Sequence, residues 1–301
     1  MLKQTLLKHI NLILLMVLLL FSAKLPATES NPVDFAVIQK HAMFAQAAYQ
    51  SEDGIRASLA SNNYTLTLIH TFPNTQVSFL LATNETTKTQ IISVRGTSNV
   101  ENAMVDIYLK LVVDQKTGVA LHHGFSVAAR QVYAKLKPFL KQDYKIEVTG
   151  HSLGGAVALI LAMYLDADQF DIEQVTTFGQ PKVTNIAGVN KIGHINVIRV
   201  VTPADLVPLV PLFDPLDINN LDVYWHAGKE VILLADNQYA ILEGTDSMLR
   251  ASNFTQKLLN QENLQHHQMT LYLKMIKAKT QSAELVPYKI NYNLFNLFGS
   301  E

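Results

Sequence analysis

Residues 150–155 read Gly150-His151-Ser152-Leu153-Gly154-Gly155, and this hexapeptide decides the fold. An apolar alternating run from Tyr144 to Thr149 precedes it, and a helical stretch from Ala156 to Leu165 follows at once. A strand, a G-x-S-x-G turn and a helix in this order are typical of a nucleophile elbow. Such a turn strains the backbone of its serine, and the flanking glycines leave room for neighbouring backbone. The pattern predicts a nucleophile at Ser152.

The rest of the chain alternates strand and helix patterns around this turn. Alternating or continuous β-type residues occur at Tyr64 to Phe72, Gln76 to Ala82, Gln90 to Val94, Val175 to Phe178, Ile195 to Val201, Glu230 to Leu234 and Tyr239 to Leu242. Helical spacing occurs at Phe35 to Tyr49, with Asn31 and Pro32 as its expected start, at Phe125 to Leu140, at Ile186 to Ile192 and in a stretch ending near Lys277. Strands that alternate with helices indicate βαβ units. The sequence therefore predicts an α/β fold with a mostly parallel central sheet flanked by helices.

The amino terminus has a different composition from the rest. Lys3 and Lys8 lead into an apolar run from Ile10 to Phe21, which is short for a membrane span. We interpret residues 1–27 as a signal peptide that directs the protein to the periplasm or the medium, with an uncleaved anchor as the alternative. No linker interrupts the remainder, so residues 28–301 are predicted to form a single domain, in which 278–301 is an extension without an assigned role.

Composition excludes several classes of protein. The chain has 301 residues, 49% of them hydrophobic, and no cysteine, so disulfides and thiolate metal sites are excluded. Removal of residues 1–27 takes three lysines and no acid, which moves the net charge from −1 to −4. A mildly acidic protein argues against nucleic acid as a partner.

A nucleophilic serine needs a histidine to take its proton and a carboxylate to orient that histidine. After a nucleophile elbow these partners follow in the order acid, then histidine, on loops behind sheet strands. Asp205 follows the predicted strand Ile195 to Val201 and is the candidate acid. The later Asp214, Asp217 and Asp222 are interpreted as solvated surface acids.

Four histidines lie downstream of Ser152, namely His194, His226, His266 and His267. His194 precedes Asp205 and so breaks the expected order. His226 stands at the entrance to a strand, where a hydrogen-bonded structural histidine is the usual occupant. The residues alone leave His266 and His267 as equal candidates for the base.

Acyl transfer also needs donors aimed at the oxyanion of the tetrahedral intermediate. The amide of Leu153, at the start of the helix behind the elbow, is one candidate. A second donor is expected from the loop after an earlier strand, where Gly96 lets backbone approach and Thr97 offers an amide and a hydroxyl. The alternative for this segment is an ordinary turn between a strand and a loop.

At these residues the chain resembles the class 3 lipases, the fungal-type triacylglycerol lipase family. The likeness runs in separated motifs between Phe35 and Met275: Arg95-Gly96-Thr97 with Asn102 and Asp106, His122-His123-Gly124-Phe125, Thr149 to Gly155, Thr177 to Val183, Arg199 to Pro211, and His267 to Tyr272. The last motif is similar to the H-x-M-x-x-Y around the family's base, which assigns that role to His267. Thr202 and Thr184 depart from the family pattern, where asparagine and glycine are usual.

The resemblance implies an α/β-hydrolase fold and a triad of Ser152, Asp205 and His267 that works without metal or cofactor. It implies cleavage of carboxylic esters in lipids at a lipid–water interface or membrane surface. It also implies a short helical lid at Ser98 to Lys110, with Met104 and Ile107 on its apolar face; the alternative is a surface helix packed permanently on the core.

We also expect His151, beside the nucleophile, to contact substrate. Two other functions remain open from the sequence: a phospholipase A1 or lysophospholipase, and a non-catalytic lipid-binding or surface-interaction protein with the same fold. The oligomeric state is not indicated by the sequence.

Overall fold

The described part of the protein contains two β-sheets. The computed structural model describes residues 33–97, 110–211, 223–252 and 261–289. Among these residues, nine strands form one sheet and four short strands form a second. In chain order they are β1 (Thr65–Thr71), β2 (Ser78–Asn84), β3 (Thr89–Val94), β4 (Leu111–Val113), β5 (Ala120–His122), β6 (Lys145–His151), β7 (Ile172–Phe178), β8 (Thr184–Asn185), β9 (Val197–Val201), β10 (Tyr224–Trp225), β11 (Lys229–Leu233), β12 (Gln238–Leu242) and β13 (Glu284–Leu285).

Helices connect and cover the strands. They are α1 (Phe35–Ala47), α2 (Glu52–Ala60), α3 (His123–Leu136), α4 (Leu153–Ala167), α5 (Ile186–Lys191), α6 (Gly244–Ser252), α7 (Gln261–His266) and α8 (Met269–Gln281). Two short 3₁₀ turns, Lys137–Phe139 and Val207–Leu209, complete the described elements.

The large sheet has the strand order β1-β2-β3-β6-β7-β9-β11-β12-β13. Its five middle strands, from β3 to β11, are parallel neighbours, whereas β1 and β2 join them in antiparallel fashion. This confirms the predicted mostly parallel central sheet. The carboxyl ends of the parallel strands meet at one edge, and the loops that leave this edge carry the candidate site residues.

Helices lie on both faces of this sheet, and strand β6 shows how the faces differ. Ile146 and Val148 belong to the apolar cluster formed with α3 and α4. The alternate residues Glu147 and Thr149 point to α1, where the carboxylate of Glu147 pairs with Lys40 and the Thr149 hydroxyl bonds to helix backbone. Successive side chains of a strand leave opposite faces, so one strand serves both layers.

Some element boundaries differ from those expected. The expected start of α1 at Asn31 and Pro32 lies outside the described residues; Asp34 caps this helix by accepting the amides of Ala36 and Val37. Helix α3 gives way to a 3₁₀ turn at Lys137 because Pro138 has no amide to continue the helical hydrogen bonds. Helix α2 was not predicted, and neither was the second sheet, whose strands are only two or three residues long.

Three predicted segments lie wholly or partly outside the described residues. They are the signal peptide at 1–27, the lid at Ser98 to Lys110 with Met104 and Ile107, and the carboxyl-terminal extension at 278–301. The extension is described as far as residue 289, and its β13 pairs in parallel with β12 at the end of the sheet. Within the described residues, no helix combines the length and apolarity needed to cross a membrane.

Candidate active site

Ser152 occupies the sharp turn between β6 and α4. Its φ is 59° and its ψ is −132°, a conformation that is strained for a residue with a side chain. The backbone is held there because the amide of Ser152 donates to the carbonyl of Phe178 over 2.8 Å. Helix α4 begins at the next residue, Leu153, and in its first turn the amides of Gly155 and Ala156 donate to the carbonyl of Ser152.

The glycines around Ser152 permit a very close contact of three elements. A methyl group on Gly150 would lie 2.4 Å from the carbonyl oxygen of Gly154, and one on Gly154 would lie 2.2 Å from the carbonyl oxygen of Val94. Both distances are far inside van der Waals contact. Strand β3, strand β6 and helix α4 therefore meet at the elbow only because these residues are glycines.

Asp205 lies fully buried after β9 and holds three donors. Its Oδ2 accepts from His267 Nδ1 at 2.8 Å and from the Tyr272 hydroxyl at 2.6 Å, and its Oδ1 accepts from the amide of Val207 at 3.0 Å. A carboxylate has the lone pairs for all three bonds. Tyr272 had no role assigned from the sequence beyond its place in a motif.

His267 is oriented by this carboxylate. Because Nδ1–H donates to Asp205, the neutral ring presents a lone pair at Nε2. Nε2 is buried and has no hydrogen-bond partner among the described residues, so it is available to a proton donor such as a serine hydroxyl. Of the two neighbouring histidines that the residues alone left open, His267 makes the contact with Asp205, while the carbonyl of His266 accepts from Thr202.

Gly179 packs directly against the hydrogen bond between Asp205 and His267. Its φ is +58°, and a methyl group there would come within 2.8 Å of Asp205 Oδ2 and of His267 Nδ1. A side chain at this position would therefore force the acid and the histidine apart. The sequence offered one signal of this, the glycine directly after strand β7, but it was quoted only as part of a motif.

The predicted oxyanion segment lies against the elbow. A methyl group on Gly96 would lie 3.0 Å from Ser152 Cβ and 2.5 Å from the carbonyl oxygen of His151. Thr97, the next residue, is the last one described before the predicted lid. The fold thus brings Gly96, the residue before Thr97, into contact with the elbow.

His151 is enclosed by protein. Only 5% of the residue is exposed, and its two ring nitrogens lie 2.8 Å from the hydroxyl of Tyr49 and 2.7 Å from the carbonyl oxygen of His267. Burial, followed by the effect of His267, lowers the pKa of His151 to about 3. The arrangement favours a role inside the protein over the expected contact with substrate.

The loop that follows Asp205 is anchored by buried polar groups. Lys182 Nζ donates to the carbonyls of Leu209 and Pro211, and His226 Nε2 donates to that of Pro208 over 2.6 Å. Burial, followed by the neighbouring Arg199, lowers the pKa of Lys182 to about 7. These contacts hold the segment behind Asp205 to the end of the sheet.

The remaining candidates lie apart from the elbow. His226 makes the structural hydrogen bond expected of it, and His194 is exposed and pairs with Asp166 at 2.8 Å. Asp214, Asp217 and Asp222 lie outside the described residues. No group of three or more histidine, aspartate or glutamate side chains in the described part of the chain is arranged to bind a metal ion.

Both departures from the family pattern have local hydrogen-bonding roles. The Thr202 hydroxyl donates to the carbonyl of His266 at 3.0 Å, which ties the loop of the acid to the loop of the histidine. The Thr184 hydroxyl donates to the carbonyl of Ala120 at 2.7 Å, which adds a bond between β8 and β5. The hydroxyl groups of both threonines therefore connect neighbouring segments of the chain.

Comparison with known proteins found similar lipases. The sequence model of the family described as lipase (class 3) matches residues 91–214, a stretch that includes Gly96, Ser152, Gly179 and Asp205. Over this stretch the chain is similar to the class 3 lipases. It is 36% identical over 118 residues to secreted mono- and diacylglycerol lipase 1 of Fusarium solani, which covers 37% of this chain and 35% of that protein. It is 28% identical over 193 residues to a lipase of Rhizomucor miehei, and this match covers 60% of this chain and 51% of that protein.

These matches span only about a third to a half of the length of the two lipases. Solved structures match over more of the fold. A lipase from Rhizopus microsporus var. chinensis superposes with a TM-score of 0.58 at 25% identity, over 71% of this chain and 80% of that one. The Lip2 lipase of Yarrowia lipolytica superposes with a TM-score of 0.58 at 26% identity, over 70% of this chain and 83% of that one. Class 3 lipases have the α/β-hydrolase fold, and this chain has it too.

The crowding at Gly179 generates a prediction about stability. We expect Gly179→Ala to destabilise the protein because it combines strain at positive φ with the forced separation of Asp205 from His267. Gly244→Ala is the matched control, since Gly244 has φ +50° but nothing within 4 Å of the added methyl group. Urea unfolding should show a loss for Gly179→Ala about 1–3 kcal/mol larger than for the control, the usual range for overpacking. Equal losses would show that the methyl group fits beside Asp205.

Proposed function

We propose that the protein is an exported serine hydrolase that cleaves carboxylic esters of lipids, in the manner of a triacylglycerol lipase. One observation carries the proposal: Ser152 on a strained turn shares its sheet edge with the bonded pair of Asp205 and His267, whose Nε2 has no partner among the described residues.

In the proposed reaction Ser152 Oγ attacks the ester carbonyl carbon while His267 Nε2 takes the hydroxyl proton. Asp205 holds Nδ1–H and stabilises the imidazolium that forms. The amides of Thr97 and Leu153 donate to the oxyanion. When the carbon–oxygen bond to the alcohol breaks, His267 returns the proton to the leaving oxygen; water then attacks the acyl-enzyme by the same steps and frees Ser152.

Export and the nature of the substrate rest on sequence features and on the relatives. Residues 1–27 have the pattern of a signal peptide, and the relative from Fusarium solani is named as a secreted lipase of mono- and diacylglycerols. A second relative with that name comes from Penicillium cyclopium. We therefore propose glycerides as the substrates, with residues 98–110 as a lid that responds to a lipid surface and 28–301 as one domain.

The nucleophile is tested by Ser152→Ala. We expect hydrolysis of p-nitrophenyl butyrate to fall by about 10⁵-fold or more, because loss of a triad serine removes the whole covalent route. Ser126→Ala is the matched control, since Ser126 is equally buried but its hydroxyl bonds within its own helix to His123. A fluorophosphonate should label the wild-type protein at Ser152 alone. Activity in the Ser152→Ala variant would contradict the proposal. A wild-type protein that is not labelled would also contradict it and would favour a non-catalytic lipid-binding protein.

The base is tested by comparing His267→Ala with His266→Ala. Only His267 contacts Asp205 in the structure, so we expect His267→Ala to lose about as much activity as Ser152→Ala. His266→Ala keeps the backbone carbonyl that Thr202 uses and should retain most of the wild-type rate. Steady-state rates on the same soluble ester measure both. The reverse result would move the base to His266.

The substrate class is tested with a panel of lipids. Purified protein is supplied with monoacylglycerol and diacylglycerol dispersions, a triacylglycerol emulsion and phosphatidylcholine vesicles, and the released fatty acid is titrated. We expect faster release from the glycerides than from the phospholipid, with the inactive Ser152→Ala protein as the blank. Faster release from the vesicles would instead identify a phospholipase A1 or lysophospholipase.

A further inference from the structure

A chain of hydrogen bonds crosses the interior behind Ser152. The amide of Gly96 donates to the hydroxyl oxygen of Tyr49 at 3.0 Å, this hydroxyl lies 2.8 Å from His151 Nδ1, and His151 Nε2 lies 2.7 Å from the carbonyl oxygen of His267. The four residues come from distant parts of the chain. They stand in the loop after α1, the segment after β3, the elbow and the loop before α8.

The direction of every bond in this chain follows from its two ends. A carbonyl oxygen only accepts, so His151 Nε2 carries the proton and donates to His267. His151 Nδ1 must then accept, and Tyr49 donates its hydroxyl proton to it. The oxygen of Tyr49 is left to accept from Gly96. A single tautomer of His151 therefore satisfies all four residues.

Burial keeps this arrangement in one charge state. It lowers the pKa of His151 to about 3 and raises that of Tyr49 to about 12. Since a protonated His151 would turn a donor toward Tyr49 and a deprotonated Tyr49 would have no proton for His151, both shifts preserve the directions above.

The three segments joined by this chain are those of the proposed reaction. Gly96 adjoins Thr97, the proposed oxyanion donor; His151 adjoins Ser152; and the carbonyl of His267 belongs to the proposed base itself. The rings of His151 and His267 are tilted by 33°, with centroids 4.6 Å apart, and the rings of Tyr49 and His151 meet edge-on. Movement of any one segment is thus coupled to the other two.

We propose that Tyr49 and His151 are positioning residues that hold the oxyanion segment, the nucleophile and the base in fixed positions relative to one another. The inference rests on the proposed serine hydrolase function and adds two residues to it. Neither residue takes part in proton transfer to substrate. They act through backbone: Tyr49 through the amide of Gly96 and His151 through the carbonyl of His267.

The first test removes one hydroxyl. Tyr49→Phe keeps the ring and loses the hydrogen bonds to Gly96 and His151. We expect kcat on p-nitrophenyl butyrate to fall about 10-fold or more with little change in KM, because misalignment acts on the transition state. Tyr64→Phe is the matched control; Tyr64 is also buried in the layer of α1, where it packs edge-on against Phe44. It should lose stability without losing kcat.

The second test uses replacements for His151. Glutamine offers one acceptor and one donor in a similar direction, whereas leucine fills the space without either. We expect His151→Gln to keep clearly more of the wild-type kcat than His151→Leu. Tyr49→Phe combined with His151→Leu should lose little beyond His151→Leu alone, since both changes break the same chain. Thermal unfolding of each variant confirms that it is folded at the assay temperature.

The outcomes separate this inference from the proposed function. Hydrolysis that depends on Ser152, together with a wild-type kcat for Tyr49→Phe, would overturn the positioning role and leave the hydrolase standing. Equal rates for His151→Gln and His151→Leu, or additive losses in the double variant, would also overturn it. If the wild-type protein shows no hydrolysis that depends on Ser152, the proposed function fails first and the positioning role fails with it.

Discussion

The positive φ of Ser152 is the constraint on which the rest of the site depends. A serine in this conformation turns the chain from strand β6 into helix α4 within one residue, so it stands at the carboxyl end of the strand and beside the first turn of the helix. The turn is possible only because Gly150 and Gly154 let backbone from β3, β6 and α4 come within contact. The strain is held by the surrounding elements, including the bond from the Ser152 amide to Phe178 at the end of the neighbouring strand β7.

Parallel strands bring the other groups to this edge. Asp205 follows β9, Gly179 follows β7 and Gly96 follows β3, and all three are at carboxyl ends of strands that neighbour one another through β6. His267 is the exception, since it comes from the loop before helix α8, which packs on the sheet beside α1. Its position therefore depends on side-chain contacts with Asp205 and His151 rather than on strand pairing. The loop that carries His267 is therefore the part of the site with the greatest need for supporting hydrogen bonds.

Much of this arrangement was predictable from local patterns. The elbow, the order of strands and helices and the mostly parallel sheet follow from the period of apolar residues and from glycine spacing, and the structure confirms them. Helix α2 and the second sheet were missed because such short segments carry little periodicity. The choice between His266 and His267 rested on a motif, since adjacent residues in a loop have no pattern that tells which one turns inward. The signal peptide, the lid and the extent of the domain stay predictions.

Local patterns in the sequence were sufficient to predict the fold class and to select Ser152 and a short set of candidate partners, because strand and helix periods and a strained turn are local properties of the chain. Only the tertiary structure decided that Gly179 lies under the bond between Asp205 and His267, that Tyr272 shares the same carboxylate, and that Tyr49 and His151 link three segments through one chain of hydrogen bonds. These contacts join residues up to 116 positions apart. Such contacts exist only once the sheet has brought those segments together, and no spacing along the sequence encodes the distance between them.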